Sequence, residues 1–189
     1  MKIRQHGFTM IELIVVIVIL GILAAVALPR FTNIQRDARV AKLNAARGAV
    51  QAAAGMIHGT VLARGGIADA AACPGGGGTA DNTTTVCTEN GIINIINGFP
   101  TAAVPAVAGV RSIVDAAGLA SVFPTTLAAL RLEGYNATGG GTAIGSTLTI
   151  AVTGGVGGAA GTNCSFTYSP SNGTAGSAAV ISGITITGC

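Results

Sequence analysis

Residues 7–29 read GFTMIELIVVIVILGILAAVALP. From Phe8 to Leu28 the chain holds 21 residues with Glu12 as the only charge. A helix needs about 20 apolar residues to cross the hydrocarbon of a bilayer. The preceding MKIRQHG (Met1–Gly7) is short, polar and basic. Such a segment stays cytoplasmic and sends the following chain outward. An ordinary secretory signal has its small-residue cleavage site after the apolar run. Here Ala24, Ala25 and Ala27 approach that pattern without a clean site, and a glycine stands directly before the run. A cut after Gly7 leaves the apolar helix on the mature chain, with Phe8 as its first residue.

Glu12 is the informative residue of this stretch. A carboxylate in hydrocarbon costs several kcal/mol, so an intramembrane acid is a functional residue by default. Its natural partner is a cation at similar depth. A cut before Phe8 creates one, the free α-amine. Positions 8 and 12 are one helical turn apart, so the amine can pair with Glu12 of its own chain. It can instead meet Glu12 of a neighbour shifted along the helix axis, which would tie subunit register to assembly. The bland alternative is an uncleaved signal anchor with a tolerated glutamate.

The motif Gly7-Phe8-Thr9-Met10-Ile11-Glu12-Leu13, with the long apolar run, Gly21 and Pro29, resembles the class III signal of type IV pilins and pseudopilins. The resemblance implies cleavage after Gly7 by a membrane prepilin peptidase and N-methylation of Phe8. It implies that Glu12 docks an incoming subunit on the amine of a neighbour already in the filament. The continuation Ala27–His58 is similar to the mannose-sensitive haemagglutinin branch of type IVa pilins. That similarity is close over roughly residues 1–62. Beyond it the chain matches only in outline, through Gly98-Phe99-Pro100-Thr101 and a terminal cysteine pair.

Composition supports a chain that is not an ordinary soluble domain. Half of the 189 residues are hydrophobic and 9% are charged, against about 25% in a soluble domain. Arg30, Arg36, Arg39, Lys42 and Arg47 stand against the single acid Asp37 within residues 30–47, whereas residues 134–189 carry no Lys, Arg, Asp or Glu. Loss of Lys2 and Arg4 with the leader would lower the net charge from +3 to +1. A nucleic-acid binder usually carries a larger basic surplus on its folded domain. No nucleic-acid partner is expected, and the basic stretch reads as a solvated or membrane-proximal helix face.

The helical pattern continues past the apolar run. Val40, Leu43, Val50, Ile57 and Val61 recur at spacings of three, four and seven, an apolar stripe at helical period. One helix is expected from about Phe8 to Leu62, its first half projecting and its second half packed on a globular head. Pro29 removes a helical hydrogen bond and bends the axis. The resemblance adds that the segment between Gly21 and Pro29 melts in some filaments. Residues 63–90, with Gly75–Gly78, read as loop. The glycine run lacks the Lys-Ser/Thr ending of a phosphate-binding loop. Ile113–Phe123 should include a short helix ending before Pro124, and Leu127–Leu132 another turn.

The last third alternates apolar and hydroxyl residues: Leu148, Ile150 and Val152, then Cys164, Phe166 and Tyr168, then Ile184 and Ile186. Period two with one apolar face fits an antiparallel sheet. The expected class is α+β, a long N-terminal helix on a C-terminal antiparallel sheet. The expected organisation is a leader at 1–7, a transmembrane and assembly helix at 8–29, an amphipathic helix at 30–62 and a head at 63–189.

Cys73, Cys87, Cys164 and Cys189 form no C-x-x-C motif and have no histidine at zinc spacing. In an exported chain four cysteines point to two disulfides. Three connectivities are open. Cys73–Cys87 and Cys164–Cys189 are favoured because each closes a local loop. No metal or cofactor is expected. His6 and His58 have no accompanying base, nucleophile or metal spacing, so no catalytic constellation is present and the chain is not expected to be an enzyme. Asn82, Asn136, Asn163 and Asn172 begin Asn-x-Ser/Thr matches, weak signals in so Thr-rich a chain.

The leading expectation is the major subunit of a type IV pilus: a helical homopolymer serving adhesion and surface motility. Its precursor would lie in the inner membrane, be handled by prepilin peptidase and the assembly machinery, and end at the cell surface. The alternatives are a type II secretion pseudopilin and a minor tip pilin acting as an adhesin.

Overall fold

The fold is described from a computed structural model. It describes residues 8–105, 109–154, 163–174 and 177–189, with the backbone alone at 31–33. The class is α+β. The chain divides into two units, one up to Ala38 and one from Arg39 to Cys189.

Helix α1 runs Met10–Arg64 with Pro29 inside it. It starts and ends two residues later than the sequence expectation. Thr9 precedes the helix, and its Oγ1 accepts from the Glu12 amide at 3.3 Å. Thr9 and Glu12 have the spacing of a capping box. An acid in the first turn also meets the positive end of the helix dipole. In the first unit, residues 8–26 are all exposed, including every large apolar residue of the run.

The second unit begins with the stripe of α1 that does have an interior. Leu43, Ala46, Val50, Ala53, Ala54 and Ile57 are buried at helical spacing. Among the described residues, seven short strands form two antiparallel sheets. The first sheet is β1 (Thr85–Thr88), β2 (Gly91–Ile96) and β3 (Phe99–Pro100), in that order. The second is a meander of β4 (Tyr135–Gly139), β5 (Leu148–Val152), β6 (Ser165–Ser169) and β7 (Val180–Ile181). Helices α2 (Ile113–Ala116) and α3 (Leu127–Leu132) lie between them in sequence.

The main core joins the α1 stripe to the second sheet. Leu148 faces Tyr168 and Ile150 faces Phe166 across β5 and β6, and all four are buried with Leu43 and Val50. Such cross-strand pairs are the unit of sheet stabilisation. The Tyr168 hydroxyl donates to the Pro100 carbonyl at 2.7 Å, so its burial leaves no orphaned donor. That burial also raises the Tyr168 pKa. A smaller core places Ile57 against Val86, Ile93 and Ile95 of the first sheet.

Polar contacts fix the helix to the same unit. Arg39 Nε donates to the Cys189 carbonyl, Lys42 Nζ to that of Glu133, and Arg47 Nε to that of Ser182 at 2.8 Å. Lys42 also lies 4.6 Å above the Tyr135 ring. The basic stretch is therefore only partly the solvated face that its charge pattern suggests. Each of these long cationic side chains ends on a main-chain carbonyl. His58 stacks on Phe99, with ring centroids 4.1 Å apart, and its Nδ1–H donates to the Gly98 carbonyl at 3.2 Å.

Several local expectations are corrected. Residues 63–90, read as loop, contain β1. The short helix expected within Ile113–Phe123 is present as Ile113–Ala116. A capping box of Ser112 and Asp115 starts it, and the buried Asp115 carboxylate also accepts from the Thr125 amide at 2.6 Å. Ile184 and Ile186 form no strand; a single bridge joins Thr185 to Ser165. Within residues 63–90, Asp81 accepts from the amides of Thr83, Thr84 and Thr85. The Thr84 hydroxyl bond is the largest influence holding its carboxyl far below the usual range, with burial opposing.

Candidate processing and assembly site

Two of the residues that carry the expected chemistry are Phe8 and Glu12, and both lie in the first unit. Gly7 and the leader 1–7 lie outside the described residues. Phe8 is 85% exposed. Among the described residues the Glu12 carboxylate has no hydrogen-bond or ion-pair partner. Its backbone, by contrast, is fixed by Thr9, whose carbonyl also accepts from the Leu13 amide at 3.3 Å. Sequence reasoning passed over Thr9. The available signal was the Thr-x-x-Glu spacing immediately before an apolar run, which reads as a helix start.

Glu12 thus stands at a defined place on a rigid helical turn, with its carboxylate uncommitted. Around it are Ile11 at 73% and Leu13 at 57% exposure. Helix α1 contains a segment long and apolar enough to cross a membrane, and none of that segment is buried within the chain. Apolar surface of this extent requires an environment other than water. A charge within it requires a counter-charge in that same environment. Gly21 and Pro29 both lie within the helix, and nothing lies within 4 Å of where a Gly21 side chain would begin.

The cysteines sit in the second unit, away from any chemistry of this kind. Cys73 is joined to Cys87 and Cys164 to Cys189, with Cα separations of 5.5 and 4.8 Å. Asp69 comes near the first pair, its carboxylate within 4.8 Å of both sulfurs. Disulfide sulfurs are not the thiolates that bind metals. The Asp69 carboxylate is already occupied, by Arg64 at 2.8 Å and Asn82 at 3.0 Å. Asn82 is buried at 1% exposure, which removes it as an acceptor for a surface glycan.

The family described as "Prokaryotic N-terminal methylation motif" matches residues 2–28. The type IV narrow pilus major component PilA5 of Thermus thermophilus is 42% identical over 92 residues, covering 44% of this chain and 78% of that protein. The type IV major fimbrial protein FimA of Dichelobacter nodosus is 42% identical over 53 residues, 28% of this chain and 34% of that protein. The fimbrial protein EcpB of Eikenella corrodens is 41% identical over 64 residues, 34% of this chain and 38% of that protein. The chain thus spans about a third of the length of these two fimbrial proteins. No solved structure gives a significant match. The N-terminal motif, the exposed apolar helix and the α+β fold share one explanation: this chain belongs to the type IV pilin family.

Proposed function

We propose that this chain is the major structural subunit of a type IV pilus, cut after Gly7, N-methylated at Phe8 and polymerised through the first part of α1. The observation that carries the reading is a 21-residue apolar run, fully exposed through Val26, with Glu12 as its single charge. Membership of the pilin family implies a structural protein, and we read the chain as having no enzymatic role. Before assembly the run holds the precursor in the inner membrane, with residues 1–7 on the cytoplasmic side. Cutting after Gly7 converts an amide nitrogen into an α-amine at the membrane depth of Glu12. The amine of a neighbouring subunit then neutralises the carboxylate, and apolar burial between helices drives growth. Residues 30–62 continue the helix into the head, and residues 63–189 form the filament surface, used for adhesion and surface motility. Melting between Gly21 and Pro29 would give the fibre extensibility.

Mass spectrometry and electron microscopy of sheared surface fibres test this reading together. The expected fibre consists mainly of this chain, beginning at methylated Phe8. Fibres built of another subunit, with this chain present in trace, would overturn the major-subunit role. Gly7→Ala is expected to leave the precursor uncut; a normal mature mass from that variant would overturn the cleavage site.

A further inference from the structure

The second unit contains a cavity of about 680 Å³, and among the described residues Arg111 is its only charged lining residue. Arg111 is held from behind. Its amide donates to Asn94 Oδ1 at 2.9 Å, and its carbonyl accepts from the Asn94 amide at 2.8 Å. Its guanidinium lies 5.1 Å from the centre of the Phe123 ring. Space for that group is built into the backbone. A side chain at Gly77 would begin 3.0 Å from Arg111 Nη1, and one at Gly91 would begin 2.9 Å from the same atom. Both glycines also have positive φ, 104° and 128°.

The guanidinium so placed is under-used. Its one hydrogen bond among the described residues is a long one, from Nη1 to the Gly76 carbonyl at 3.4 Å. No carboxylate of the described residues lies within 4 Å of it. A guanidinium carries five N–H donors in a planar fork matched to carboxylates. On the cavity walls Thr79 and Asn94 offer neutral polar groups, and Ile92 and Pro124 offer apolar surface. Two further hydroxyls there are half-engaged, Thr125 donating to the Val122 carbonyl and Thr126 accepting from the Ala129 amide, so the first can still accept and the second still donate. Asn94 has engaged only its Oδ1, leaving the amide nitrogen as a second donor among the described residues. A fixed cation, hydroxyls and a small apolar wall suit a ligand with one carboxylate on a polyhydroxylated ring. The volume falls within the usual range for small-molecule sites, about 300–1,000 Å³.

We propose that this cavity binds an acidic sugar, its carboxylate on the Arg111 fork and its ring against Ile92 and Pro124. The sugar is either a free uronic acid or a residue of an acidic polysaccharide. The test uses the full chain in detergent micelles, with galacturonate, galactose, acetate and trigalacturonate as calorimetric probes. Galacturonate is expected to bind saturably and at least tenfold more tightly than galactose or acetate. Arg111→Gln should abolish that binding, and Arg111→Lys should weaken it about tenfold by replacing the fork with a point charge. Thermal melts establish that each variant is folded. If a variant does not fold, peptide-resolved phenylglyoxal modification of the wild-type protein replaces it: galacturonate, but not galactose, should protect Arg111. Tighter binding of trigalacturonate assigns a polymer as the source, and equal binding assigns the free acid. Equal affinity for galacturonate and galactose, galacturonate binding retained by a folded Arg111→Gln variant, or no protection of Arg111 would overturn the proposal. Acetate binding as tightly as galacturonate would overturn the sugar.

Discussion

Residues 10–28 and 39–64 share one helix, α1, and have opposite relations to their surroundings. The earlier stretch is apolar on every side, and residues 8–26 bury nothing within the chain. The later stretch buries Leu43, Ala46, Val50, Ala53, Ala54 and Ile57 along one side and leaves mostly small and polar residues elsewhere, with Met56 and Leu62 exposed. A helix that is hydrophobic all round belongs in lipid or in a large protein core, whereas a striped one belongs on a domain surface. The same backbone geometry therefore serves two solvents, and only the side-chain pattern separates them. The cations follow this division. Arg39, Lys42 and Arg47 reach main-chain carbonyls, while Arg36 is exposed.

The largest test of this contrast is Glu12→Ala. Fibres should disappear from the sheared fraction while mass spectrometry still finds the processed chain in the membrane. Abundant normal fibres would detach Glu12 from assembly. Next comes the second unit taken alone. Changing Cys164 and Cys189 together to Ser opens a loop of 25-residue separation. By the loop-entropy rule this costs about 3.5 kcal/mol, read by denaturant unfolding of the full chain in micelles. Leu43→Ala should cost about 3 kcal/mol in the same assay, because a fully buried leucine leaves a cavity. Leu20→Ala should cost close to nothing there. Equal losses from the two leucines would break the comparison outright.

Smaller effects sharpen it. Arg47→Ala removes a cation from the Ser182 carbonyl and should cost about 1 kcal/mol. Arg36→Ala should remain within about 0.5 kcal/mol. Acid probes the second unit through Asp81. Its folded pKa is depressed below its unfolded value, so the stability it adds is fully present above that unfolded value. This contribution is lost progressively as pH falls below about 4. Asp81→Asn should flatten that part of the unfolding curve against pH, and an unchanged acid limb would remove Asp81 from the account.

The assembly segment was the most legible part of the chain. A single carboxylate in a long apolar run has few readings, and the leader before it narrows them further. Helix α1 was legible too, since its apolar periodicity is carried over many turns. Strands β5 and β6 showed themselves through the alternation around Ile150 and Phe166. The first sheet did not. Gly91–Ile96 reads GIINII, nearly continuous in apolar residues, so period two is hidden and strand cannot be told from buried helix. Strand β4, YNATG, carries too little apolar content to show a face. Its position depends on pairing with the next strand, β5, which composition does not encode. Arg111 was opaque for a related reason. Its cradle gathers Gly77, Gly91 and Phe123 from three separate segments.

Each sheet also ends, on one side, in a strand of two residues, β3 in the first and β7 in the second. A long, flat outer strand is a template on which another copy can pair, main chain to main chain. Two residues offer too short a row of free amides and carbonyls to hold such a guest. At those edges the fold is protected from runaway β-aggregation even when copies are crowded side by side. Ordered growth is then left to the helices, whose fit depends on side chains rather than on the bare peptide backbone.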